Sequence, residues 1–350
     1  MEYNKKKILV IKLASAGDVL RTTPLLSGIK KRYSDSHVTW LVGKSGKELL
    51  EGNKNIDRIL VYNSKIKNEL KTEDFDIVIS LDKDIEAIQL ATAIKANEKY
   101  GFGLDQDNRL VAFNKEAEYS VRLGLDDELK FFKNEKTYPE LIFETVKLKF
   151  ENNPYELVLD KGNIDFADSF FKRNGLHDAD IVIGVNTGSG RVFANKNLGK
   201  ERIVEVIEIL NEKLTARVLL LGGPLEEEIN DYIEEKTGQG VINSGCDNSV
   251  KDFAALIGKC SLIITADTLA MHIAIALRVP TVVLFGPTCP QEIELYGRGV
   301  KIVTPKECAP CYRNKCDKKP NCMDAIQIES ILAAVKEVVS KRKSESVVNI

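Results

Sequence analysis

Thr-Ala-Asp-Thr-Leu-Ala-Met-His-Ile-Ala-Ile-Ala-Leu-Arg-Val-Pro-Thr-Val-Val-Leu-Phe-Gly-Pro-Thr, residues 265–288, is the stretch on which the fold turns. It reads as a buried strand ending in Asp267 and Thr268, a short helix over Met271 to Leu277, and a second buried strand from Thr281 to Phe285 closed by Gly286-Pro287. An acid, a hydroxyl and a histidine, Asp267, Thr268 and His272, thus gather at one strand end and helix start. In an open α/β sheet ligands bind at that carboxyl edge, and a helix N-terminus offers free N–H groups to an anion. Asp and Thr are also ordinary N-cap residues, so the stretch needs a matching wall elsewhere in the chain.

Working outward, the same alternation of strand and helix appears twice. Lys7 to Leu13 is an apolar run of the kind a central parallel strand shows, broken at Ala14 to Asp18 and followed by Val19, Leu20, Leu25, Leu26 and Ile29 at helical spacing. Further strands are expected at His37–Val42, Arg58–Tyr62, Phe75–Leu81 and Lys99–Gly103, with helices over Glu86–Lys95, Ala117–Leu123 and Tyr138–Phe150. A second series begins after the loop-like Asn152 to Asn163. It has strands at Ile181–Val185, Arg217–Leu221 and Ser261–Ala266, and helices over Ile164–Asn174, Glu201–Leu214, Glu226–Lys236 and Val250–Gly258. At 350 residues two domains are the default, and the pattern predicts two Rossmann-like halves with parallel sheets facing across a cleft. The expected boundaries are 1–160 for an acceptor-side domain, 161–330 for a donor domain, and 331–350 for a last helix, Ile328–Ser340, with a fraying tail.

Composition excludes several classes. A chain 43% hydrophobic and 29% charged is ordinary for a globular protein, and no apolar run approaches the roughly 20 residues that span a bilayer. The N-terminus enters a strand without a signal-peptide core, so a cytoplasmic location is expected. The net charge of −2 conceals a basic first segment: residues 1–60 hold twelve Lys or Arg against six Asp or Glu. Such a segment suits an anionic acceptor or peripheral contact with an anionic membrane face, and no nucleic-acid motif accompanies it.

Three turns at strand ends carry candidate chemistry. The first, Ser15-Ala16-Gly17-Asp18-Val19-Leu20-Arg21, has one glycine where G-x-G-x-x-G has three, which removes the best support for a nicotinamide enzyme and leaves a carboxylate at a helix start. The second, Asn186-Thr187-Gly188-Ser189-Gly190-Arg191 followed by Lys196, offers N–H groups, hydroxyls and a point charge to a diphosphate, without the ending of a Walker A motif. The third, Leu221-Gly222-Gly223-Pro224-Leu225-Glu226, lets a nucleoside approach the backbone and supplies a carboxylate for ribose hydroxyls. Each also has a plain structural reading, as an acidic first turn or a tight loop.

Taken in order, residues 7–24, Asn-Thr-Gly at 186–188 with Lys196, Leu-Gly-Gly-Pro at 221–224, 265–274, 280–288 and a cysteine cluster ending in Cys322-Met323 resemble glycosyltransferase family 9, the ADP-heptose:lipopolysaccharide heptosyltransferases and their relatives. The resemblance implies a GT-B fold and an inverting transfer that requires no metal or other cofactor. It puts the family's general base on Asp18 and its phosphate-binding lysine on Lys196. The donor site it implies is lined by Gly17, Thr187, Gly188, Ser189, Lys196, Gly222, Gly223, Glu226, Asp267, Thr268, Leu269 and His272. It further implies a nucleotide-sugar donor, ADP-heptose first, and a glycolipid or glycan acceptor of the lipopolysaccharide kind at the inner face of the cytoplasmic membrane. Two departures stand out: Leu269 occupies the place of a usual glycine, and Leu198-Gly199 that of a common Trp-Pro. A sugar-nucleotide epimerase or hydrolase, or a non-catalytic nucleotide-sugar-binding protein, would use the same scaffold; the joint presence of Asp18 and Lys196 argues against the last.

Of seven cysteines, Cys308, Cys311, Cys316 and Cys322 crowd into fifteen residues. In a cytoplasmic setting four close thiols suggest a structural zinc or iron site before reduced thiols, and disulfides last, although the spacing is not that of a zinc ribbon.

Overall fold

The computed structural model describes residues 5–13, 15–190 and 196–348, with side chains through 341. Arg191 of the second turn and the end of the tail lie outside the described residues. The chain divides into two compact units, one of residues 1–158 with 291–294, the other of residues 159–290 with 295–350.

The first unit is built on six strands, β1 (Lys6–Lys12), β2 (Ser36–Val42), β3 (Arg58–Val61), β4 (Phe75–Ser80), β5 (Ala96–Leu104) and β6 (Leu110–Ala112), in the order β3-β2-β1-β4-β5-β6. All neighbours are parallel except β5 and β6. Successive residues of β1 point to opposite faces. Ile8 and Val10 join Val38, Trp40, Leu25, Leu26 and Phe143 on one side, while Leu9 and Ile11 join Leu41, Val78, Leu90 and Ala91 on the other. Burial on both faces is why the strand sequence is apolar throughout rather than alternating.

The second unit repeats the plan with β7 (Val182–Asn186), β8 (Arg217–Leu221), β9 (Ile242–Asn243), β10 (Leu262–Ala266), β11 (Thr281–Phe285) and β12 (Gly299–Val303), ordered β12-β11-β10-β7-β8-β9 and wholly parallel. Its core joins the strands to the helix Lys200–Lys213 and, through Ile331, Ala334, Val335 and Val338, to the last helix Ile328–Val348. Two six-stranded α/β sheets of this kind are the GT-B architecture expected from the sequence.

Three strands escape the sequence reading. Strands β6, β9 and β12 are edge strands of three, two and five residues whose sides are only half-buried, so they lack the continuous apolar run that marks the central ones. The helix expected over 19–29 is two helices, Ala16–Leu20 and Pro24–Arg32, because Pro24 has no N–H and begins a new one. The helix expected to run from Tyr138 to Phe150 stops at Thr145, with Lys147 in a left-handed conformation. Among the described residues no helix is long and apolar enough to cross a membrane.

Candidate functional site

Each sheet has one place where the chain reverses its direction of winding, between β1 and β4 in the first unit and between β7 and β10 in the second. Loops leaving such neighbouring strands in opposite directions open a crevice at their carboxyl ends, where ligands of open α/β sheets bind.

In the second unit this crevice collects most of the sequence candidates. Asn186, the last residue of β7, donates from Nδ2 to the Gly188 carbonyl at 2.8 Å, and the same group lies 3.2 Å from Thr265 Oγ1 and 3.3 Å from Thr268 Oγ1 at the end of β10. The Thr268 hydroxyl is thereby turned toward Asn186 and Thr265. Although Thr268 is the N-cap residue of the helix Leu269–Ala276, it makes no side-chain cap bond. The simple capping role is therefore not the one its side chain plays, and the Thr268 hydroxyl leaves the first N–H groups of the helix uncapped. Lys196 Nζ stands 3.5 Å from Asp267 Oδ2, and His272 Nε2 lies 3.9 Å from Asp267 Oδ1. His272 is 5% exposed on a helix whose neighbours are apolar. A cation and an acid paired loosely beside an open helix N-terminus make a place where a diphosphate can compete for the lysine.

The glycine turn at 222–223 closes the other side. Glu226 accepts the Gly223 N–H at 3.0 Å, and a Cβ on Gly188 would meet the same carboxylate at 3.1 Å. A Cβ on Gly222 would lie 2.9 Å from Asn230 Nδ2 and 3.1 Å from Thr187 Oγ1, so close packing of the two loops requires glycine there. Thr187 donates its hydroxyl to the fully buried Asn230 at 2.6 Å. That side chain anchors the loop, and the groups it leaves for a ligand belong to its neighbours. Ser189 is half-buried and continues the loop toward the surface. The residues replacing family positions fit without strain: Leu269 is absent from the positive-φ residues, Gly199 has extended backbone, and Leu198 is buried in the core.

Gly17 and Asp18 belong to the first unit, at its own crevice. Asp18 lies in the first turn of Ala16–Leu20, where its carboxylate accepts from Ser15 Oγ at 2.9 Å and pairs with Arg21 Nη2 at 2.8 Å. Arg21 lies 3.9 Å from the centre of the Tyr138 ring and 3.7 Å from Glu292. Below it Lys12 and Asp82 form a buried ion pair at 2.6 Å, and Asp82 also accepts the Leu13 N–H, tying the end of β1 to the end of β4. Burial opposes the Lys12 charge, but Tyr138, Asp82 and Asp18 more than offset it and hold that ammonium above the usual lysine range.

Sequence reading had no signal for Asn186 as the link between strands, nor for Asn230, Arg21, Lys12 and Asp82. These residues matter through partners about 40 to 80 positions away or through a local pairing that composition does not reveal. Only Lys12, Arg21 and Asn186 lay inside the quoted stretches.

The four clustered cysteines follow β12 and are strapped to the end of β11. The N–H groups of Cys311 and Tyr312 donate to the Pro287 carbonyl at 3.0 and 2.9 Å, and a Cβ on Gly286 would meet Cys322 Sγ at 2.8 Å. Cys308, Cys311, Cys316 and Cys322 line one cavity with Lys306, Arg313 and Lys318. Burial, then the neighbouring Cys311 and Cys316, push the Cys322 thiol up to about 11. Four soft thiols on one cavity suit zinc or iron in chemistry. Yet no three His, Cys, Asp or Glu side chains among the described residues stand as a set that could hold an ion.

Comparison with known proteins bears on these arrangements. The family model described as "Glycosyltransferase family 9 (heptosyltransferase)" matches residues 63–321. Over 95% of the chain and 97% of the relative, the sequence is 23% identical to the lipopolysaccharide core heptosyltransferase OpsX of Haemophilus influenzae. Among solved structures it is similar to a family 9 glycosyl transferase from Veillonella parvula, with TM-score 0.77 and 22% identity over 97% of this chain and 99% of that one. It is also similar to the iron-containing dodecameric heptosyltransferase TibC of enterotoxigenic E. coli in complex with ADP-D-beta-D-heptose, with TM-score 0.58 and 12% identity over 97% and 79%. This chain belongs to glycosyltransferase family 9 and is a glycosyltransferase.

Proposed function

We propose that the protein transfers a heptose, or a closely related sugar, from a nucleotide donor, ADP-heptose first, to a lipopolysaccharide core or other surface glycan. Asp18 takes the proton of an acceptor hydroxyl as that oxygen attacks the anomeric carbon. The bond from that carbon to the diphosphate oxygen breaks, its electron pair leaves with ADP, and the anomeric configuration inverts. Lys196 stabilises the charge that develops on the departing diphosphate. The acceptor is a glycolipid or glycan, and a lipid-borne one would bring the enzyme to the inner membrane face.

The observation that carries this reading is the Lys196–Asp267 pair beside the uncapped start of Leu269–Ala276, at the switch point of a family 9 chain. Replacing Lys196 by Ala removes a charged hydrogen bond worth about 1.5–3 kcal/mol, so ADP should bind about 10- to 150-fold more weakly. Calorimetric titration of ADP into both proteins checks this, and equal affinities would remove Lys196 from the site.

The cysteine cluster is proposed as a structural zinc or iron site, separate from the chemistry. TibC is an iron-containing relative, and in this chain binding would have to draw the thiols together. Metal analysis of the purified protein should find about one equivalent of zinc or iron per chain, lost in a Cys308→Ser, Cys311→Ser variant. Equal metal content in the two proteins would count against the assignment.

A further inference from the structure

Asp18 shares its arginine with a second carboxylate. Arg21 Nη2 meets Asp18 Oδ1 at 2.8 Å, while the other terminal nitrogen, Nη1, lies 3.7 Å from Glu292 Oε2. The Tyr138 ring, its centre 3.9 Å from the guanidinium carbon, backs the group. Arg21 and Glu292 are 17% and 13% exposed, so little water screens their attraction. Burial opposes the Arg21 charge, but Asp18, Tyr138, Glu292 and Tyr155 more than offset it.

The segment around Glu292 is anchored on both sides. Residues 291–294 follow β11 in the chain yet fold with the first unit. Gln291 Nε2 donates to the carbonyls of Lys130 and Phe131 at 3.0 and 3.2 Å, and Ile293 is buried. With both neighbours held, Glu292 stays where Arg21 meets it. For a general base this sharing matters. A guanidinium with one carboxylate partner can close on both of its oxygens, a fork that favours the anion and makes it a poor proton acceptor. Here Asp18 gives Oδ1 to Arg21 and Oδ2 to the hydroxyl of the exposed Ser15, a contact that an incoming hydroxyl can take over.

We propose that Glu292 is a positioning residue for the transfer: by holding the second terminal nitrogen of Arg21, it keeps the guanidinium from closing on both oxygens of Asp18 and leaves Oδ2 free to take a proton. The role in transfer rests on Asp18 as the base; the shared guanidinium does not. Removing the Glu292 charge lets Arg21 act on Asp18 alone, which favours the carboxylate and lowers the pH at which it titrates. The other charged or titratable groups facing Asp18, Arg21 and Glu292 are Lys12, Asp82, Lys83, Tyr138 and Tyr155, and Glu292→Gln leaves them all in place.

Two readouts on the full chain test this. In carbon-13 NMR of aspartate-labelled protein, the Asp18 carboxyl is assigned by its loss in Asp18→Asn. Its titration should move to lower pH by about one unit in Glu292→Gln. In single-turnover transfer from ADP-heptose to a lipopolysaccharide core oligosaccharide, the acid limb of the rate should move with it. The plateau should fall about three- to tenfold, since a base weaker by one unit loses at most about tenfold, and both KM values should stay within about twofold. Glu292→Asp keeps the charge and should leave the titration and the limb near those of the wild type. An unmoved Asp18 titration in Glu292→Gln overturns the proposal, whatever the activity. Equal losses in Glu292→Asp and Glu292→Gln also overturn it, by making the role one of shape alone. A moved titration with an unmoved limb overturns the role in transfer. If Asp18→Asn then turns over at the wild-type rate, the failure lies with the base reading and the shared arginine stands.

Discussion

Asp18→Asn is expected to lower kcat by about 10²- to 10⁴-fold, the usual worth of a positioned general base. The amide is close in size to the carboxylate; its oxygen can keep the Arg21 contact while its NH2 faces the Ser15 hydroxyl, which can turn to accept, in place of the native 2.8 and 2.9 Å contacts. It cannot take a proton from the acceptor, so the loss should fall on the chemical step. ADP affinity should stay within about twofold, because the residues proposed for the diphosphate belong to the other folded unit. Single-turnover kinetics and ADP titration on the same preparation separate the two effects. Wild-type turnover in Asp18→Asn would remove the base; a parallel loss of ADP binding would make Asp18 a donor contact instead.

The second large effect is on stability. Asp82→Ala should destabilise the first unit by about 3–5 kcal/mol, as expected when one partner of a buried ion pair is removed. Lys12 and Asp82 are 6% and 2% exposed, and without the carboxylate Lys12 Nζ retains the Leu81 carbonyl at 3.2 Å but no counter-charge from that loop. The Leu13 N–H would lose its acceptor as well. Urea unfolding followed by the fluorescence of Trp40 reports this unit specifically, since the chain has one tryptophan and it is buried in β2. Adding Lys12→Met should recover a substantial part of the loss, because the penalty comes from the stranded charge. No loss in the single variant would mean that water reaches Lys12.

Much of the fold was legible because the central strands are buried on both faces and therefore apolar without interruption, as in Ile8 to Ile11 and Leu262 to Ile264. Edge strands such as Ile242–Asn243 carry no such mark, and their existence depends on a neighbour already in place. At the site, turn chemistry exposed Gly222 and Gly223, and their need for glycine is visible in the contacts a Cβ would make. The division of labour within the turns was not legible. Thr187 spends its hydroxyl on Asn230, 43 positions on, and Asn186 reaches Thr265 and Thr268 about 80 positions on, pairings that only the closed sheet creates. The Lys12–Asp82 pair is hidden for the same reason: both residues look like ordinary charged strand ends until β1 and β4 lie side by side.

The most direct test of the proposed reaction is to incubate the protein with ADP-heptose, with and without a lipopolysaccharide core oligosaccharide, and to follow donor, ADP and glycan by mass spectrometry. The account predicts that ADP appears and the glycan gains one heptose only when both substrates are present. Conversion or hydrolysis of the donor at the same rate without any glycan would contradict it and identify an epimerase or hydrolase on this fold.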